Sequence, residues 1–189
     1  MNRTEYIDTY FKETAEILNK VDRSRVEEMI KILTLLRDRG GRLFILGVGG
    51  SASNASHAVN DFRKISGIEA YTPVDNVAEL TARTNDDGFE TVFVNWLKVS
   101  KLNNEDVIMV LSVGGGTETT SKNLVTAMNY AKEKKAGIVS IVSRDGGAAL
   151  KLSDACIHIP VVDGNMITPL AESFQSVILH LVVNALNVR

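Results

Sequence analysis

The chain has 189 residues, of which 44% are hydrophobic and 23% are charged, and its formal net charge is -2. This size predicts one soluble globular domain over residues 1–189, because the chain can bury one core but is short for two. The charge argues against a general binder of nucleic acid or anionic membranes, since both partners need a basic surface.

The cysteine content and the lengths of the apolar runs indicate the cellular compartment of the protein. The chain has one cysteine, Cys156, so no intrachain disulfide can form and a reducing compartment is indicated. Residues 1–6 contain no apolar signal-peptide core, and no stretch approaches the roughly 18 to 20 apolar residues that cross a bilayer. We therefore expect a cytoplasmic protein with no membrane partner.

The first forty residues have a helical pattern. Apolar residues recur at helical spacing from Tyr6 to Leu36, and Gly40-Gly41 ends the pattern. We expect residues 1–40 to form a helical N-terminal extension of the domain.

From residue 43 onward, short apolar runs alternate with helical patterns. The runs that predict strands are Leu43–Leu46, Asp106–Leu111, Gly137–Val142 and Ala155–Ile159. Helices are predicted at 52–65, 75–98 (broken near Asn85), 118–134, and from Pro169 to about Asn187. Such alternation predicts an α/β three-layer sandwich, a mainly parallel sheet flanked by helices. Ligands of such sheets lie at the carboxyl ends of the strands, here after Leu46, Leu111 and Val142.

Two of these strand-to-helix turns, 47–53 and 112–117, are rich in glycine and hydroxyl groups. Glycine lets backbone N–H groups approach an anion, and the N-terminus of the following helix adds unpaired N–H groups and partial positive charge. Neither turn has the G-x-G-x-x-G order of a dinucleotide site or the Gly-Lys-Ser/Thr of a P-loop. The pair predicts binding of a phosphorylated ligand, although either turn alone could simply link a strand to a helix. We interpret a third turn, 143–147, as structural.

A set of possible ligand or acid–base residues lies on two of the predicted helices. His57 and Asp61 are four residues apart, and Glu172 and His180 are eight residues apart, or about 12 Å along a helix axis. Two imidazoles and two carboxylates suit zinc or a similar divalent ion, and one imidazole with one carboxylate suits acid–base catalysis. A surface ion pair and a buried core histidine are the simpler alternatives. Asn85-Asp86 could bond sugar hydroxyls or cap a helix.

Together these features resemble the sugar isomerase (SIS) domain family, specifically the phosphoheptose isomerases. The resemblance covers nearly the whole chain and follows the order of its motifs. These are the helical N-terminus, Gly47–Ser51, His57, Asn85-Asp86 with Gly88-Phe89, Ser112–Thr117, Asp145–Gly147 and His180.

The resemblance implies a single SIS domain in a homotetramer, with residues 1–40 packed on the domain and on neighbouring subunits and with active sites at subunit interfaces. It implies conversion of sedoheptulose 7-phosphate to D-glycero-D-manno-heptose 7-phosphate through an enediol, for nucleotide-activated heptose and surface polysaccharide. Alternatives are a non-catalytic sugar-phosphate-binding module with a protein partner, and an isomerase of a different sugar phosphate.

The resemblance also implies roles for individual residues. Catalysis falls on Asp61 as the base and on His180. The implied ligands of one divalent metal per subunit, which is zinc in some members, are His57, Asp61, Glu172 and His180. The implied substrate contacts are Val48, Gly49, Gly50, Ser51, Asn85, Asp86, Ser112, Val113, Gly114, Thr117 and Glu172.

This chain departs from the family pattern at several of these positions. Val48 stands where asparagine is usual, Asp61 where glutamate is usual, and Glu172 where glutamine is usual. The Ser112–Thr117 turn has fewer polar groups than usual, with Gly114 in place of serine and Gly116 in place of asparagine. A shorter base and a more anionic pocket suit either a tightly held divalent cation or a changed substrate.

Overall fold

The computed structural model describes residues 1–188. The helices are α1 (Arg3–Lys20), α2 (Arg23–Asp38), α3 (Gly50–Lys64), α4 (Val77–Asp87), α5 (Val92–Val99), α6 (Lys122–Glu133), α7 (Gly147–Leu152) and α8 (Ile167–Ala185). The strands are β1 (Arg42–Gly47), β2 (Glu69–Tyr71), β3 (Val107–Leu111), β4 (Gly137–Val142) and β5 (Ala155–His158).

All five strands are parallel and lie in the order β2-β1-β3-β4-β5. One face of the sheet packs against α2, α3, α8 and the end of α1, and the other against α5, α6 and α7. Strands β3 and β4 are wholly buried apart from the first residue of β4, as a sheet covered on both faces requires. The predicted three-layer α/β sandwich is confirmed.

The strand order reverses between β1 and β3. The chain leaves β1 through α3 to the edge strand β2, and then crosses back to β3 on the other side of β1. In such sheets the crevice at this switch point is the usual ligand position. Gly47 pairs with Leu111 at the carboxyl end of the two strands, so the turns that follow them start side by side.

The structure refines several predicted boundaries. The helical N-terminus is two helices, and Asp22 begins the second by accepting a hydrogen bond from the Ser24 backbone N–H. The break predicted near Asn85 falls at Gly88, whose φ of +84° ends α4. Helix α8 begins two residues before Pro169, which lies in the first turn, where a missing N–H costs no intrahelical bond.

Two short elements were not predicted. Strand β2 has three residues with only Ala70 buried, so it lacks the apolar run that identified the other strands. Helix α7 has six residues and starts at Gly147, so it is too short to show an amphipathic pattern. Within residues 1–188, no helix has the length and hydropathy needed to cross a membrane.

Candidate functional site

A pocket of about 610 Å³ opens at the carboxyl ends of β1, β3 and β4. The residues that line it are Val48, Ser51, Leu111, Ser112, Val113, Gly114, Gly116, Thr117, Thr120, Ser121, Arg144, Asp145, Ile167 and Glu172. The pocket therefore lies at the switch point of the sheet, where the strand pattern predicted a ligand.

The hydroxyl groups of the turn after β3 are oriented by backbone amides. The Ser112 Oγ accepts a hydrogen bond from the Gly115 N–H at 3.0 Å, and the Thr117 Oγ1 accepts from the Thr120 N–H at 3.0 Å. A hydroxyl that accepts from the backbone keeps its own O–H to donate. Both side chains line the pocket, so this turn can present O–H donors to an anion.

The carbonyl groups of the same turn are bonded to the start of α7. The Ala148 N–H donates to the Gly116 carbonyl at 2.9 Å, and the Ala149 N–H donates to the Gly115 carbonyl at 3.0 Å. These bonds use the otherwise unpaired donors of a helix N-terminus to hold the turn. Helix α7, which sequence reasoning missed, therefore fixes the shape of the turn.

The turn after β4 is a wall of the pocket, contributed by Arg144 and Asp145. From the sequence, 143–147 was the weakest of the three turns and we interpreted it as structural. The available signal was the place of this turn after Val142, at the carboxyl end of a predicted strand, where ligands of such sheets lie.

Three of the four predicted metal-ligating residues meet on the outer side of α3 and α8. The His57 Nε2 lies 3.2 Å from the Asp61 Oδ2, and the His180 Nε2 lies 3.5 Å from the same oxygen. The two Nε2 atoms are 3.1 Å apart. The Asp61 carboxylate is buried while both imidazoles are exposed. Two imidazole nitrogens and one carboxylate oxygen that converge in this way fit zinc, with further positions open to substrate, water or a neighbouring subunit.

The alignment of α3 and α8 places these residues. The Asn54 Nδ2 donates to the Glu172 backbone carbonyl at 2.9 Å and to the Gln175 Oε1 at 3.1 Å. Further along, the Ser66 hydroxyl donates to the Val183 carbonyl at 3.0 Å. The two helices thus run side by side in the same direction, with their N-termini at the pocket.

Glu172 is separate from the group formed by His57, Asp61 and His180. It lies two helical turns before His180, about 12 Å along α8, and its carboxylate packs against Gly50 at the start of α3. It lines the pocket and is not among the converging ligand atoms. Within one chain, Glu172 therefore lies at the pocket, where a substrate contact was predicted, and not beside the other predicted metal ligands.

The other predicted contacts divide into two groups. Val48, Ser51, Ser112, Val113, Gly114 and Thr117 line the pocket, and Gly49-Gly50 form the start of α3 beside it. Asn85 and Asp86 lie exposed at the end of α4, hydrogen-bonded to each other at 2.8 Å, and do not line the pocket of their own chain.

Replacing Gly50 by alanine is expected to displace the Glu172 carboxylate, because an added Cβ would overlap it. Since a flexible side-chain end can move, the free energy of unfolding should change by less than about 1 kcal/mol. Ligand affinity should change about tenfold if Glu172 contacts the ligand. Calorimetry on this variant and on Gly164→Ala, where nothing lies within 4 Å of the added atom, would test this. Equal affinities in both variants would contradict the expected contact.

Comparison with known proteins gives a family match and several relatives. The SIS domain family matches residues 9–143. A phosphoheptose isomerase of Helicobacter pylori strain P12 is 29% identical over 180 residues, covering 93% of this chain and 87% of that protein. Another, from strain HPAG1, is 30% identical over 151 residues, covering 77% of this chain and 74% of that protein. The lincomycin biosynthesis protein LmbN of Streptomyces lincolnensis is 33% identical over 153 residues, and this chain spans 54% of its length.

Solved structures share the fold. The phosphoheptose isomerase GmhA from Neisseria gonorrhoeae superposes with a TM-score of 0.86 at 20% identity, covering 98% of this chain and 99% of that chain. A phosphoheptose isomerase from Francisella tularensis superposes with a TM-score of 0.83 at 20% identity, covering 99% of each chain. The whole of the described chain, including α1 and α2, therefore has a counterpart in these structures.

Proposed function

Since this chain belongs to the SIS domain family, we propose that it is a sugar-phosphate isomerase that converts sedoheptulose 7-phosphate to D-glycero-D-manno-heptose 7-phosphate, a precursor of nucleotide-activated heptose for surface polysaccharide. The observation that carries the proposal is one fold that has both a pocket lined by glycine- and hydroxyl-rich turns and a separate group of two imidazoles and a carboxylate. Relatives named phosphoheptose isomerases over most of the chain support it. The free, buried Cys156 is compatible with a cytoplasmic location.

The phosphate would bind in the pocket, on the turn after β3. The donors there are the Ser112 and Thr117 hydroxyls, and the glycine-rich backbone between them lets an anion approach closely. The sugar would extend along the start of α3, past Ser51 and Glu172.

The reaction needs one proton removed from carbon and one placed on oxygen. In the enediol pathway a carboxylate takes the proton from the carbon beside the ketone, while an acid protonates the ketone oxygen. Returning a proton to the neighbouring carbon and removing one from the first hydroxyl gives the aldose, so atoms and electrons balance. Asp61 is the proposed base and His180 the proposed acid, since their side chains lie 3.5 Å apart.

A divalent metal, zinc in this proposal, fits the donor set of His57, Asp61 and His180. Such an ion would supply electrophilic polarisation of the substrate carbonyl. Asp61 is one methylene shorter than the glutamate usual in the family, yet its Oδ2 still reaches both imidazoles because α8 packs directly against α3.

A homotetramer is part of the proposal, because the pocket and the His57–Asp61–His180 group face different stretches of α3 and α8. Helix α1 exposes Tyr6, Ile7 and Phe11, and α8 exposes Val177 and Leu181. Exposed apolar residues on helix surfaces suit an interface between subunits. Packing there could bring the metal group of one subunit to the pocket of another, and could also supply Asn85 and Asp86.

The test is conversion of sedoheptulose 7-phosphate by the purified protein with zinc, followed by NMR. We expect the aldoheptose 7-phosphate to accumulate to an equilibrium mixture that is the same from either direction. Unchanged substrate, despite measurable binding and saturating zinc, would reject the isomerase. A panel of pentose, hexose and other ketose phosphates, tested in parallel, would identify a different substrate.

The second candidate is a non-catalytic sugar-phosphate-binding module with a protein partner. It is favoured by Val48, which brings no polar group to the pocket, and by Glu172, which adds negative charge where a sugar phosphate would bind. Binding without turnover, together with a stable complex containing a second protein, is the outcome that would favour this candidate.

A further inference from the structure

We propose that Arg144 is a phosphate-binding residue of this pocket and the main reason why the site selects phosphorylated sugars over neutral ones. The proposal rests on the proposed function for the identity of the sugar. It concerns the turn after β4, whose Arg144 and Asp145 line the pocket but have so far been given no role in binding.

The turn that carries Arg144 is docked on the phosphate-binding turn by its backbone. The Ser143 N–H donates to the Val113 carbonyl at 3.0 Å, in addition to the two bonds from Ala148 and Ala149 to Gly116 and Gly115. No side chain fits between the turns, because a Cβ on Gly115 would overlap the Gly146 carbonyl. The Arg144 backbone is therefore fixed against the turn that presents Ser112 and Thr117.

The Arg144 side chain runs along that turn. Its Cδ would lie 3.8 Å from a Cβ placed on Gly114, which is ordinary van der Waals contact. Arg144 lines the same pocket as the Ser112 and Thr117 hydroxyls. Arg144 is therefore an exposed residue at the pocket, beside the turn that carries the Ser112 and Thr117 hydroxyls.

The backbone of Arg144 is held in an uncommon conformation. Its φ is +52°, in the left-handed region that residues with a Cβ seldom occupy. The His158 Nε2 bonds the Arg144 carbonyl at 2.9 Å, and the Ser143 hydroxyl donates to the Ile159 carbonyl at 2.9 Å. Strained conformations of this kind persist where surrounding contacts hold them, often at binding sites.

Charge gives the chemical reason for an arginine here. The charged residues that line the pocket are Arg144, Asp145 and Glu172, so two carboxylates would repel a phosphate dianion. The Asp145 Oδ1 accepts from the Gly147 N–H at 3.3 Å and so faces its own turn. Among the described residues, none of the ion pairs includes Arg144. A guanidinium can bond two phosphate oxygens at once, which suits it to this role.

The experiment compares Arg144→Ala and Arg144→Gly with the wild type and with Arg39→Ala. Glycine removes the side chain and also relieves the strained φ, so it retains the fold if alanine does not. Arg39 is exposed at the amino end of the sheet, away from the pocket. Three quantities are measured: KM and kcat for the sugar phosphate, and the dissociation constant of inorganic phosphate by calorimetry.

We expect both Arg144 variants to raise KM and the phosphate dissociation constant by about 10- to 100-fold. The turnover number should stay within about threefold, and Arg144→Lys should recover part of the affinity. Affinities within twofold of wild type in both variants would overturn the proposal. If the wild type binds phosphate through Arg144 but turns over no sugar phosphate, the proposed function fails and this inference stands.

Discussion

Replacing Asp61 by asparagine should lower the turnover number by at least about 1,000-fold. The Asp61 Oδ2 lies close to both imidazoles, at 3.2 Å and 3.5 Å, and its carboxylate is buried. An amide keeps the shape but removes the charge that would hold a divalent cation and accept a proton. The measurement is kcat on sedoheptulose 7-phosphate, with zinc content determined on the same samples.

Two companion variants separate the roles of Asp61. Asp38→Asn, at an exposed position on α2, is the matched control and should retain full activity. His57→Ala removes a proposed ligand that is not a proposed base. If Asp61 is the base, saturating zinc should restore more activity to His57→Ala than to Asp61→Asn. Activity of Asp61→Asn above a tenth of wild type would contradict both roles.

The Gly115→Ala variant is expected to be the most destabilising of the single changes considered for the pocket. Gly115 has a φ of +71°, and its added Cβ would overlap the Gly146 carbonyl, which is backbone and cannot move alone. Left-handed strain costs about 1–2 kcal/mol, and separating the two docked turns should bring the total to about 3 kcal/mol. Phosphate affinity should fall with it, because Ser112 and Arg144 lie on the turns that separate.

The matched control is Gly40→Ala. Gly40 has the same φ of +71° but nothing within 4 Å of the added Cβ. Its loss of unfolding free energy should therefore be about 1–2 kcal/mol, the conformational cost alone. Urea unfolding of both variants measures the difference. Equal losses would show that the contact between the turns after β3 and β4 contributes nothing.

The layers of the fold could be predicted because the central strands are continuous apolar runs. Strands β3 and β4 have no exposed residue, and a fully apolar run between helical patterns has few alternatives to a parallel sheet. Strand β2 could not be recognised, because an edge strand of three residues with one buried side chain lacks that signal. The strand order, and with it the switch point, came only from the structure.

The parts of the candidate site that could be predicted are those whose residues lie close together in the sequence. The glycine and hydroxyl turns and the four-residue spacing of His57 and Asp61 are visible in the sequence. In the structure the turns line the pocket, and His57 and Asp61 lie side by side. The approach of His180 to them depends on the alignment of α3 with α8, to which Asn54 contributes hydrogen bonds between residues more than a hundred positions apart. Arg144 was missed because its role depends on how two turns dock.

The position of Glu172 on α8 limits the roles that this residue can have within one chain. The eight-residue spacing puts Glu172 and His180 on one face of α8, but too far apart to bind the same ion within one chain. The structure places Glu172 at the pocket. There it lines the same pocket as Arg144 and Asp145, so one arginine and two acidic residues border one volume. This combination suits a ligand with a phosphate at one end and hydroxyl groups along its length.

The most direct test of the proposed chemistry is the reaction of sedoheptulose 7-phosphate in D2O with zinc, followed by proton NMR. An enediol pathway predicts aldoheptose 7-phosphate that carries deuterium at the carbon beside the aldehyde. It also predicts that Asp61→Asn abolishes both product and label. Substrate recovered unchanged and unlabelled from the wild-type protein, while calorimetry shows that it is bound, would contradict the proposed isomerase.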